Sequence, residues 1–197
     1  VRHVIEYSVL AAHRHVFGVF FWFVALSAMG LGPAGAVLYR MAEFGSRYWS
    51  YKSQVTGAAT HDRLMNLSLK LFTWLDHVPS RMTAFGFAVV GNFEDAVDAW
   101  RRHAVLWVRP NEGTILSAAS GALGVRLGGQ AAPSADGRDV SRTLSQGDGS
   151  DVIDAEGSTT GAPPEMAHLR SVVGLIWRSV VLWMLLLALL SLANLIG

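Results

Sequence analysis

Three groups of residues have the types and spacing to do chemistry. His13 and His15 invite a metal site. Two residues apart on a helix, they point about 200° away from each other and cannot share one ion. Glu94, Asp95 and Asp98 offer carboxylates, with Arg101, Arg102 and His103 behind them. Asn92 precedes them as a helix cap, and acids early with bases late is the order that complements the helix dipole. This set reads as the surface charge of a capped helix. Arg40, Arg47 and Lys52 interleave with Tyr39, Tyr48, Trp49 and Tyr51. Such a mixture can stack on a nucleotide or a tetrapyrrole, but beside an apolar span it marks the lipid headgroup region. Asn111–Gly129 is rich in small residues and ends in a glycine pair, without the Gly-Lys-Ser/Thr of a phosphate loop. It reads as close helix packing. The chain has no cysteine, which removes disulfides, thiolate catalysis and cysteine metal sites.

Apolar helices must position these residues. Ser179–Gly197 reads SVVLWMLLLALLSLANLIG, without a charge. A helix crossing the bilayer core needs about 20 such residues, and in lipid a helix satisfies its own backbone. This one is apolar all round and offers water no face. Hydrophobic residues make up 51% of the chain and charged ones 16%, against about 25% charged in soluble domains. A net charge of +1 gives no footprint for nucleic acid. The chain opens on Val1 rather than Met, and we expect it to be a C-terminal fragment with any earlier spans outside it.

In chain order, Val1–His15 is expected to be helical, with Val4, Ile5, Val9 and Ala12 near helical spacing. Val16–Tyr39 carries no charge. It is either one tilted span or a span ending near Met29, followed by a Gly-Pro break and a second short helix. Asp62–Val78 is amphipathic through Leu64, Leu67, Leu71, Leu75 and Val78, and Pro79 is expected to end it. Met82–Phe93 is too short to cross and reads as a re-entrant run or the apolar half of a helix. Pro110 is expected to close the helix that Asn92 opens. Gln130–Glu165 is a linker of Gly, Ser, Asp, Thr and Pro with little to bury, and Met166–Arg178 is a wet lead-in to the last span. Arg40, Arg47, Lys52, Arg170 and Arg178 all fall between the two apolar segments, so the positive-inside rule puts that segment in the cytoplasm. The fold class is therefore all-α: a polytopic helical membrane protein with amphipathic or re-entrant helices and a disordered loop. Its parts are a membrane domain at 1–129, a flexible linker at 130–165 and a C-terminal transmembrane helix at 166–197.

With these pieces in order, the chain resembles the CobD/CbiB family of membrane proteins and its relative AmpE. The residues that carry the resemblance are Phe21-Trp22-Phe23, Gly32-Pro33-Ala34-Gly35-Ala36 running into Tyr39-Arg40, and Val78-Pro79-Ser80-Arg81-Met82-Thr83-Ala84. Pro110-Asn111 with Gly113, and Gly121 through Gly129, continue it. The resemblance covers most of Glu6–Gly129 and the final span. It implies a multi-pass protein of the bacterial inner membrane, with the bilayer as its surroundings. It also implies adenosylcobinamide-phosphate synthesis, in which a carboxylate of adenosylcobyric acid is joined to aminopropanol or its phosphate with ATP and Mg²⁺ as co-substrates. Under that resemblance Lys52 and Arg81 would hold phosphate, Glu6 would assist the metal, and Tyr51 and Asn111 would position the corrinoid substrate.

The sequence departs from the family pattern at its acids. Aligned without a gap, the acids expected after Glu6 fall on Leu10 and Arg14, a third falls on Ser46, and a paired Asp-Asp falls on Phe72-Thr73. An apolar residue cannot replace a metal-ligating carboxylate, so the site reads as degenerate. Leu75-Asp76-His77-Val78-Pro79-Ser80-Arg81, and Gly91, Glu94, Ala96, Ala99 and Trp100, are similar to AmpE instead. That resemblance implies the alternative: a non-catalytic membrane signalling protein linked to β-lactamase induction, with other membrane proteins as partners.

Overall fold

A computed structural model describes residues 1–56, 59–128 and 159–196. Among the described residues every regular element is a helix, apart from one isolated parallel bridge, Val125 to Ala162. The first helix runs as α1 (Arg2–Ala12), a π turn (His13–Phe17) and α2 (Gly18–Ala28). Then come α3 (Ala34–Thr56), α4 (Ala59–Leu75), α5 (His77–Val90), α6 (Phe93–His103), α7 (Pro110–Leu123) and α8 (Met166–Ile196). Among the described residues two helices, Arg2–Ala28 and Met166–Ala193, are long and apolar enough to cross a membrane.

The centre of the bundle joins Ile5, Val9 and Leu10 of α1, Phe87 of α5, Ile115 and Leu116 of α7, and Val172 and Leu175 of α8. Phe17 meets Phe87 edge-on at 5.8 Å. Outside this centre, α2 is apolar and half-buried, and the distal half of α8 is apolar and largely exposed.

Of the two expectations for Val16–Tyr39, the broken helix holds, but the helix after the break is not short: α3 runs for 23 residues. The turn after α2 sends α3 back along it, so closely that a Cβ on Gly35 would overlap the Trp22 carbonyl. The small residues of this stretch therefore allow two backbones to touch. The same holds for α7, where a Cβ on Gly121 would overlap the Asp95 carbonyl of α6. Asn92 caps α6 as expected, accepting the Asp95 backbone N–H at 3.3 Å.

Both prolines do the opposite of what the sequence led us to expect. The break after α4 comes at Asp76, and Pro79 stands in the first turn of α5. A proline lacks the N–H that would bond four residues back, which is harmless in a first turn. The carbonyl it would have met, Leu75, receives the Trp22 indole N–H at 3.2 Å. Likewise α6 ends at His103 and Pro110 begins α7, the other position a helix tolerates. Met82 to Val90 belongs to α5, which buries Thr83, Ala84, Gly86, Phe87 and Ala88 against protein.

Two further expectations change. Met166–Arg178 is not a wet lead-in, because Val172 and Leu175 lie in the core. The expected linker is ordered at its end: Thr159 is buried, its backbone N–H bonds to the Leu127 carbonyl at 2.9 Å, and Ser120 Oγ bonds to its hydroxyl at 2.6 Å. The remainder of that linker, 130–158, lies outside the described residues.

Candidate functional site

A cavity of about 240 Å³ lies between the π turn, α3, the α4–α5 junction and the start of α7. Its walls are charged. On one side Glu43 of α3 receives Arg40 at 2.8 Å and Arg47 at 2.9 Å. On the other, Glu112 of α7 receives Arg14 at 2.7 Å and Arg109 at 3.1 Å. Each glutamate is thus bracketed by two arginines, and each bracket carries one net positive charge. Arg14, Arg47 and Arg109 line the cavity. An arginine presents five N–H donors in a planar fork, so pairing with one carboxylate does not exhaust it.

The floor is a buried polar knot. Asp76, at the α4–α5 junction, accepts the Tyr39 hydroxyl at 2.7 Å and His13 Nε2 at 2.8 Å, both on Oδ1, while its backbone bonds to Phe72 and Ser80. His13 Nδ1 lies 2.9 Å from the Thr83 hydroxyl. A π turn inserts an extra residue into a helix and is frequent at functional sites; here it carries His13. Burial, and then the neighbouring Asp76 charge, push the Tyr39 phenol far above its ordinary range. Tyr39 therefore stays a donor.

Asn111 is the single residue among the five sequence candidates that lines this cavity. It is buried, and its side-chain amide donates to the Thr73 carbonyl at 2.9 Å, tying α7 to the end of α4. Glu6 is buried elsewhere: its carboxylate accepts the Gly128 backbone N–H at 2.7 Å, and Arg2 donates to the Gly128 carbonyl. Lys52 lies over the rings of Tyr48 and Trp49 at 5.6 and 5.4 Å, and Tyr51 is exposed. Arg81 donates to the carbonyl of His77, one turn back. Glu6, Lys52, Tyr51 and Arg81 are not brought together at this cavity.

Sequence reasoning did not single out Glu43 or Glu112, and it named Asp76 only within the AmpE-like string. One signal did point here. Leu10, Arg14, Ser46, Phe72 and Thr73, the positions where the resemblance expects acids, all line the cavity.

An arginine-walled cavity in a helical bundle, beside helices apolar enough for a bilayer, defines a helical protein with an arginine-lined polar pocket. The CobD/Cbib protein family model matches residues 10–155, and the chain belongs to that family. It is 30% identical over 173 residues to the cobalamin biosynthesis protein CobD of Stutzerimonas stutzeri, covering 87% of this chain and 48% of that protein. It is 36% identical over 121 residues to the protein of the same name from Chromobacterium violaceum, covering 59% of this chain and 34% of that one. The chain thus spans about half the length, or less, of these relatives. No solved structure matches it.

Proposed function

We propose that this chain is part of an inner-membrane protein of cobalamin biosynthesis, and that the cavity is the counterpart of the amide-forming synthase site. In this chain the cavity holds an anionic group of a pathway substrate on Arg14, Arg47 and Arg109. The observation that carries this reading is the convergence of Leu10, Arg14, Ser46, Phe72 and Thr73 on one pocket. Where the family pattern has carboxylates, this pocket has an arginine, a serine, a threonine and two apolar side chains.

The residues present do not fit magnesium. Glu43 and Glu112 are each bonded to two arginines, and Asp76 Oδ1 already accepts two donors. Among the described residues no group of three or more His, Asp or Glu is placed to hold a metal ion. A non-catalytic, AmpE-like signalling role is favoured by one observation. Asp76, from the AmpE-like string Leu75–Arg81, has its Oδ1 bonded to the buried Tyr39 and His13 within the protein.

The test uses the full-length protein in membranes, supplied with adenosylcobyric acid, aminopropanol phosphate, ATP and Mg²⁺. Binding of substrate without amide product, with an authentic synthase active in parallel, is the expected result. Amide product that disappears in Arg47→Ala would show a working synthase and overturn the degenerate site. Neither binding nor product would leave the signalling reading.

A further inference from the structure

We infer that α2 and α3 form a re-entrant hairpin whose tip rests in bilayer hydrocarbon and whose two ends leave by the same membrane face. The inference rests on the membrane residence proposed above.

The first observation is the pairing of the two limbs. Gly35 packs on Trp22, Tyr39 on Gly18, and Arg40 Nη1 donates to His15 Nδ1 at 2.7 Å. The limbs therefore run antiparallel, and Arg40 returns to the level that Arg14 left. Between those two arginines the sequence carries no charged residue. A hairpin crossing the whole bilayer would place its turn in the opposite headgroup layer, where polar residues are favoured. This turn reads Met29-Gly30-Leu31-Gly32-Pro33, with Met29 75% and Leu31 55% exposed.

The second observation is depth. At about 1.5 Å per residue, the helix descends roughly 22 Å from Arg14 to Met29. The hydrocarbon core is about 30 Å thick, so the tip stops inside it.

The third is the backbone of the tip. Irregular backbone in lipid is excluded because unbonded N–H and C=O groups find no water there. In this turn the N–H groups of Met29 and Leu31 both reach the Leu26 carbonyl, at 3.1 and 2.9 Å. Gly30 donates to Ser27 at 3.0 Å and Ala34 to Leu31 at 3.4 Å. The Ser27 hydroxyl donates to the Gly32 carbonyl at 3.1 Å. Gly30 and Gly32 have φ of 80° and 56°, which keeps the turn tight, so most of its N–H groups find partners within it. Pro33 has no N–H to satisfy.

The fourth is the charge at the mouth. Phe20 meets Trp183 of α8 at 6.1 Å, a few residues below Arg14 on one helix and Arg178 on the other. Nearer the entry ends, Val9 and Leu10 share the core with Val172 and Leu175, so α8 enters beside α2 in the same direction. The exposed Arg40 and Arg178 thus flank the mouth of the hairpin, complementary to lipid phosphates, while Arg14 turns inward to Glu112. The hairpin replaces the first full crossing expected from the sequence, and α8 is the crossing helix.

The experiment places single cysteines in a cysteine-free full-length protein in sealed membrane vesicles, using a membrane-impermeant maleimide from each face. Leu31→Cys and Met29→Cys are the tip positions; both side chains are exposed, so the fold is not at stake. Arg101→Cys marks the polar side and Ala193→Cys the far end of α8. The expected result is no labelling of either tip cysteine from either face, with labelling once detergent dissolves the membrane. A small fluorophore on each tip cysteine is then quenched more by lipids carrying a nitroxide deep in the acyl chain than by lipids carrying it near the headgroup. Labelling of the tip from the face opposite Arg101→Cys would mean a full crossing and overturn the inference. A tip neither labelled nor quenched by lipid nitroxide would mean that protein covers it, and would also overturn it. Ala193→Cys labelling opposite Arg101→Cys keeps the membrane reading separate: if that arm fails, the membrane residence fails, whatever the tip does.

Discussion

His13 and Asp76, 63 residues apart in sequence, meet inside the protein with Nε2 2.8 Å from Oδ1. The contact exists because two irregularities face each other, a π turn in one helix and a break between two others. Tyr39 adds the second donor to the same oxygen.

Tyr39→Phe removes that second donor and leaves part of a buried carboxylate unsolvated. A stranded buried polar group costs about 1–3 kcal/mol, so the variant should unfold at a lower temperature in detergent. Asp76→Ala should cost more, because it strands the tyrosine and the histidine together. Circular dichroism at 222 nm during heating checks both.

The raised Tyr39 phenol makes alkaline stability a separate test. The folded protein holds this proton more tightly than the unfolded chain, where a phenol titrates near pH 10. The contribution is therefore whole below about pH 10 and declines as pH rises beyond it. Unfolding midpoints measured from pH 8 to 11.5 should fall more steeply for the native chain than for Tyr39→Phe. Parallel curves would show that Tyr39 does not carry the effect.

Trp22→Phe keeps an aromatic ring but leaves the Leu75 carbonyl without its donor. A loss of about 1 kcal/mol or more is expected. In a Pro79→Ala background the new backbone N–H can reach that carbonyl, so the Trp22 substitution should matter less there. A double-mutant cycle reads the coupling, and additive losses would remove the link between Pro79 and Trp22.

These breaks show what was legible in the sequence and what was not. The last apolar helix, the Asn92 cap and the turn after Met29 follow from local pattern. Pro79 and Pro110 were misread because a proline that ends one helix and a proline that starts the next look alike in sequence. The cavity joins Arg14, Glu43, Asp76 and Glu112 from four elements, and no local period brings such residues together. Arg47 was visible but taken for a headgroup contact. The Leu10, Arg14, Ser46, Phe72 and Thr73 substitutions were noticed singly, and the fold puts them in one place.

Arg47→Gln and Arg109→Gln should each weaken binding of aminopropanol phosphate about tenfold or more. Charged hydrogen bonds are worth about 1.5–3 kcal/mol. Lys52→Ala should leave the affinity within about twofold, since Lys52 lies on Tyr48 and Trp49, off the cavity wall. Calorimetric titration of the full-length protein distinguishes them. A Lys52 effect as large as the Arg47 effect would move the anion site.

Gly35→Ala should separate α2 from α3, because the added methyl meets the Trp22 carbonyl. Overpacking of this kind costs about 1–3 kcal/mol. Ala34→Gly, one residue earlier, should be milder, at about 1 kcal/mol or less, and thermal unfolding in detergent compares the two.

The bond from Thr159 to Leu127 has a consequence for change over time. It pins together two residues 32 apart in sequence. Closing a longer loop adds little entropy for each doubling of its length. The cost of holding Leu127 to Thr159 is therefore only weakly tied to the number of residues that separate them, and the contact tolerates insertion or deletion in that count.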